Sequence, residues 1–120
     1  MARTPTPGDG PPLSAAVFQI LLSLADGDRH GYGVMLEIEE RTDGRVRLGP
    51  GTLYGALKRM RDDGWVEELE EEEGEDGAER RRQYRLTAKG RKVARQEAQR
   101  LEELVEAAQA KRLLSSARWV

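Results

Sequence analysis

Apolar and polar positions recur along this chain with two periods, and each change of period marks an element. Between Leu13 and Leu24, the residues Val17, Ile20, Leu21 and Leu24 fall on one helical face. Ser14 stands where a helix start needs a side-chain acceptor, and Asp26-Gly27-Asp28 ends the segment. A second helical pattern runs from Gly31 to about Arg41, with Tyr32, Met35 and Ile38 inward and Glu37, Glu39 and Glu40 outward. Thr42-Asp43-Gly44 reads as a turn. Arg45-Val46-Arg47-Leu48 alternates with period two and predicts a short strand.

The third helical segment has both ends marked. Pro50 suits a first helical position, where its missing N–H would have no partner, and Gly64 suits the left-handed residue that closes a helix. Leu53, Leu57 and Met60 make its apolar face. At about 100° per residue the opposite face carries Thr52, Gly55, Lys58 and Arg59, with Tyr54 and Arg61 on the flanks. Such a helix packs on one side and offers cations, a hydroxyl and a bare glycine on the other.

Two strands follow, Trp65–Leu69 and Arg82–Leu86, separated by a run too acidic and glycine-rich to pack. Helix, helix, short strand, helix and β-hairpin is the order of a winged helix-turn-helix. Thr87 then caps a long helix from about Ala88 to Leu114. Ala94, Ala98, Leu101, Val105 and Ala108 form a seam on it at alternating spacings of four and three, with Leu104 beside it. So small a domain cannot cover a helix of that length, and a second copy of the same helix is the most economical partner. The alanine-rich seam gives little apolar area, so Val17, Phe18 and Leu21 of the first helix are expected to join the dimer surface. The fold class is therefore mainly α with a small β-hairpin, a winged helix-turn-helix plus a long C-terminal dimerisation helix. Residues 1–12 read as a flexible tail, 13–86 as the winged domain and 87–116 as the dimerisation helix.

Charge changes the picture more than composition does. The net charge of −2 argues weakly against nucleic acid, but the charges are segregated. Residues 66–79 hold nine acidic groups and no basic one, whereas residues 80–95 hold eight basic groups and no acidic one. Without cysteine there are no disulfides or thiolate metal sites. No apolar run approaches the ~20 residues that span a bilayer, and the proline-rich start has no signal-peptide core. A cytoplasmic location is expected.

Catalysis is disfavoured. His30 is the one histidine and cannot build a histidine metal site within one chain; it reads as a helix-start capping or packing residue. The clustered carboxylates lie in a loop that would not tune them, and the run from Glu70 to Asp76 reads as solvated acid rather than a metal site. No cofactor and no metal are expected.

The residues now on the page resemble the PadR-like transcriptional regulators, in particular the short members with a single C-terminal helix. The resemblance is carried by Ile20-Leu21-Leu22-Ser23-Leu24, His30-Gly31-Tyr32-Gly33, Gly51 to Met60, Asp63-Gly64-Trp65-Val66 and Arg82 to Gly90. These occur in the family's order and spacing across about residues 13–112. The resemblance implies a homodimeric repressor of a palindromic operator, with the Gly51–Met60 helix in the DNA major groove and intertwined C-terminal helices. It also implies release by a small-molecule effector. Some members carry a tryptophan at the dimer centre, and by register from Thr87-Ala88-Lys89-Gly90 that position is Leu101 here. The flat aromatic platform is missing, and Trp119 lies at the far C-terminus. Phe18, Trp65 and Leu101 are candidates for an apolar effector site, or for the core.

The candidate contacts to double-stranded DNA are Thr52, Tyr54, Gly55, Lys58, Arg59, Arg61, Arg80, Arg81 and Arg82. Lys58 and Arg59 suit guanine acceptors or phosphates, and Thr52 sits at a helix start that favours phosphate. Tyr54 either donates to a phosphate or is a half-buried core residue. Gly55 either admits the DNA backbone or allows close helix packing. Arg80, Arg81 and Arg82 either reach the neighbouring minor groove or pair with the acidic run. A winged-helix protein-interaction module without specific DNA binding is the alternative function, and the basic faces argue against it.

Overall fold

The structure, a computed structural model, describes residues 10–69 and 82–115. In chain order it contains α1 (Ala15–Leu24), β1 (Arg29–His30), α2 (Gly31–Arg41), α3 (Pro50–Asp62), β2 (Val66–Leu69), β3 (Gln83–Leu86) and α4 (Ala88–Ala110). The expectations for the tail through residue 9, for the acids from Glu70 to Asp76, for Arg80 and Arg81 and for Trp119 lie outside the described residues.

Local chemistry sets the helix ends. Ser14 Oγ accepts from the Val17 N–H at 3.2 Å and starts α1. Pro50 occupies the first turn of α3, and Gly64 closes its exit with φ +81°. Thr87 accepts from the Gly90 N–H at 3.0 Å and donates its own hydroxyl to the Gly64 carbonyl at 2.6 Å, so one side chain starts α4 and fastens it to the end of α3. Gly90 is the closest approach between the two: a Cβ there would collide with the Trp65 carbonyl.

The core lies where the helices meet the sheet. It contains Ile20, Leu21 and Leu24 of α1, Val34 and Ile38 of α2, Leu53, Leu57 and Met60 of α3, then Trp65, Val66, Tyr84, Leu86 and Val93. Burying each such aliphatic side chain is worth about 1.5–3 kcal/mol. α1 and α2 are also pinned by a polar contact. The fully buried Ser23 hydroxyl donates to Glu37 at 2.8 Å, and Arg41 donates to the same carboxylate at 2.7 Å. Arg41 holds the Glu37 carboxyl below its ordinary pKa against an opposing push from burial.

The sheet is antiparallel, in the order β1-β3-β2. Arg45–Leu48, expected as a short strand, is not one; the third strand is β1, which pairs with Gln83 and Tyr84 of β3. The Val46 N–H instead bonds Thr42 Oγ1 at 3.0 Å, and Val46 and Leu48 pack half-buried against the core. Two further expectations change on α2. Tyr32 points outward at 63% exposure while Val34 takes the buried place, and Glu37 turns toward α1. Leu21, expected at a dimer surface, is fully buried and has no surface to give. Helix α4 ends at Ala110 rather than Leu114, with Lys111 capping and Arg112 at φ +65°.

Near its root α4 buries Gly90, Val93 and Glu97. The Glu97 carboxylate accepts two bonds from Arg100, at 2.7 and 2.9 Å, and a third from the Leu13 N–H at 3.3 Å. It stitches the lead-in of α1 to α4, and the Arg100 bonds, opposed by burial, hold its pKa below the ordinary value. Further along, Leu104 and Val105 stand exposed.

Candidate nucleic-acid interface

Helix α3 is seated by Leu53, Ala56, Leu57 and Met60, each no more than 4% exposed. That fixes which face points away. Thr52, Lys58 and Arg59 are exposed along it. Nothing lies within 4 Å of where a Cβ would sit on Gly51 or Gly55. Gly55 therefore does not serve close helix packing; it leaves an open notch between Thr52 and Lys58. Lys58 keeps its ammonium in solvent, 3.8 Å from Asp62, a contact of little energetic weight at the surface.

Tyr54 is half-buried and packs on α2. It is 44% exposed, and its ring and hydroxyl rest against Gly31, where a Cβ would collide with them.

The flanking cations behave differently from Lys58. Arg61 and Arg82 each donate to Glu68 at 2.7 Å, one to each carboxylate oxygen. Tyr84 adds its hydroxyl to the same carboxylate at 3.4 Å. Burial pushes the Glu68 carboxyl up, but the bonds from Arg61 and Arg82 outweigh it, and the group stays below its ordinary pKa. The carboxylate thus ties the end of α3 to both strands of the wing. Arg82 thus pairs with an acid of β2, Glu68. Glu68 was not singled out in the sequence, although the alternation of β2 signals it. Val66 is buried, so residue 68 shares its face, and the register sets Glu68 opposite Tyr84.

His30 holds the capping position of α2 without a side-chain cap bond. Trp65 is 3% exposed and belongs to the core, not to an effector site. Phe18 and Leu101 are half-buried. Among the described residues, no group of three or more His, Cys, Asp or Glu side chains is placed to hold a metal ion, and no helix is long and apolar enough to cross a membrane.

The sequence matches the Transcriptional regulator PadR-like family over residues 20–96. The chain belongs to this family. A transcriptional regulator of Mycobacterium tuberculosis is 35% identical over 91 residues, 76% of this chain and 79% of that protein. An uncharacterized 37.1 kDa protein in a Streptomyces fradiae transposon is 42% identical over 79 residues, 66% of this chain; the chain spans only 21% of that relative. Among solved structures, a transcriptional regulator from Clostridium thermocellum superposes with a TM-score of 0.68 at 30% identity, covering 82% of this chain and 92% of that one. Bacillus subtilis PadR, solved in complex with operator DNA, superposes with a TM-score of 0.62 at 20% identity over 69% of this chain and 46% of its own. The winged-helix fold with a long final helix is thus the PadR fold, and this family member is a transcriptional regulator.

Proposed function

We propose that this PadR-family regulator is a homodimeric, cytoplasmic repressor that binds a palindromic operator, lays α3 in the major groove, and leaves DNA when an effector binds. The observation that carries the reading is the outward face of α3. It sets Thr52, Lys58 and Arg59 around two glycines with open space above them, on a helix whose other face is fully used by the core. Lys58 and Arg59 reach base edges or phosphates, and Thr52 and Tyr54 position the helix on the backbone. Arg61 supports the wing through Glu68, and Arg82, with Arg80 and Arg81, approaches the adjacent strand. The seam of α4, with Ala94, Ala98, Leu101, Leu104, Val105 and Ala108, meets the same seam of a second copy, joined by Val17 and Phe18. A palindromic site calls for two reading helices about 34 Å apart, one turn of DNA.

Selection of bound duplexes from a random pool tests this. The enriched site is expected to be a palindrome with half-sites about 10 base pairs apart. The logarithm of its affinity falls linearly with the logarithm of salt, by about 0.9 per phosphate neutralised. An affinity indifferent to salt, or a protein that random DNA fails to retain at low ionic strength, overturns the reading in favour of a protein-interaction module.

A further inference from the structure

A cleft of about 650 Å³ opens between the first turn of α2, the flank of α3 and strand β3. Its walls carry hydrogen-bond donors, from His30, Tyr32, Tyr54, Arg82 and Tyr84, and no carboxylate is among the described residues that line it.

Tyr32 is the informative member. A large aromatic ring gains most by burial, yet this one stands 63% exposed on a helix whose neighbours Val34 and Ile38 are fully buried. The core has no use for it. Tyr54, seated on the bare backbone of Gly31, brings a second phenol to the same space. Tyr84 forms the floor. Burial first, then the charge of Glu68, raises its pKa, so it stays a protonated phenol, and its proton goes to Glu68. Glu68 in turn grips Arg82 and holds that guanidinium at the rim. Arg61 binds the other oxygen of the same carboxylate and also pairs with Asp62 at 3.6 Å.

We propose that this cleft receives one phosphate of the DNA backbone, where the strand leaves the groove read by α3 and passes toward the wing. Tyr32 and Tyr54 donate to its oxygens from opposite walls. The proposal rests on the DNA-binding reading above. A free oxyanion would meet the same chemistry. The polymer is favoured by placement, because the two elements that flank the cleft, α3 and β3, are those proposed to hold the duplex. Such a contact reads no sequence; it fixes the register of α3 on the duplex.

Fluorescence anisotropy with a labelled duplex from the random-pool selection separates the possibilities. The full chain, Tyr32→Phe and Lys58→Ala are titrated against the enriched duplex, a scrambled duplex, and enriched duplexes with one neutral methylphosphonate at each backbone position in turn. Tyr32→Phe removes a single exposed hydroxyl, so its melting temperature is expected to match the wild type. Its affinity is expected to fall about threefold to tenfold, the weight of one hydrogen bond, and by the same factor on enriched and scrambled duplexes. One methylphosphonate position is expected to weaken the wild type without weakening Tyr32→Phe further. If Tyr32→Phe binds like the wild type while Lys58→Ala binds more weakly, the phosphate cleft is wrong and the DNA reading survives. If the wild type retains no duplex, both fall. If inorganic phosphate binds through Tyr32 while DNA affinity ignores Tyr32, the cleft serves a free oxyanion and the proposal is overturned.

Discussion

Helix α3 puts Leu53, Ala56, Leu57 and Met60 into its own domain and turns polar groups to the outside, whereas α4 buries Gly90, Val93 and Glu97 at its root and then runs on with Leu104 54% and Val105 39% exposed. The two helices are both amphipathic, and the remainder on each differs in kind. An outward face of cations, a hydroxyl and two glycines suits a hydrated polyanion. Leu104 and Val105, exposed beside Glu102, Glu103 and Glu106, suit another apolar surface, because leaving them in water forgoes about 25 cal/mol per Å². The contrast underlies the proposal that α3 meets DNA and α4 meets a second copy.

The comparison breaks most visibly at the seat of α3. Leu57→Ala is expected to cost about 2–5 kcal/mol in urea unfolding, since Leu57 is 1% exposed and its removal leaves a cavity. On α4, replacing Leu104 and Val105 together by Glu is expected to convert a dimer to a folded monomer by light scattering at micromolar concentration; an unchanged mass would remove the seam as the interface. Glu97→Gln, at the root, is expected to cost about 1–3 kcal/mol, because it weakens a buried charge-assisted pair with Arg100. The pH dependence has a definite sign. The Glu97 carboxyl lies below its ordinary pKa, so its contribution is whole above about pH 4.3 and is lost as pH falls through the lower folded value. The wild type is expected to lose stability more steeply than Glu97→Gln in that acid range. The smallest effect on folding belongs to Lys58→Ala, within about 0.5 kcal/mol for an exposed residue, together with DNA binding weakened by about 1 kcal/mol or more. Normal DNA binding by Lys58→Ala would take that residue off the reading face.

Helices were legible because their signals are local. Pro50, Gly64, Ser14 and Thr87 act within a turn of where they stand, and the spacing of Leu53, Leu57 and Met60 needs no tertiary knowledge. What the sequence hid depended on partners far along the chain. Arg29–His30 carries no alternation and becomes a strand only because β3 offers an edge 53 and 55 residues later. Arg45–Leu48 has the alternation but no strand partner; its Val46 N–H goes to Thr42 Oγ1, and Val46 and Leu48 pack on the core. Tyr32 reads as core by its period, since aromatic rings usually are, and is set outside by Val34. Glu97 falls outside every apolar pattern, and its burial rests on the Arg100 and Leu13 N–H bonds that satisfy it. In the site, Thr52, Lys58 and Arg59 emerge as the complement of an apolar face. Glu68 and the cleft around Tyr32 needed the strand register and the neighbouring helix.

The contact of Gly90 with the Trp65 carbonyl has a mechanical consequence. Trp65 leaves α3 directly, and Thr87 bonds both Gly64 and Trp65, so the foot of α4 bears on the end of the reading helix. Its 23 residues make a lever arm about 34 Å long. A tilt of about 10° at that foot carries the tip about 6 Å, for an arm of that length. In a dimer joined along the arms, such a tilt would change the distance between the two copies of α3.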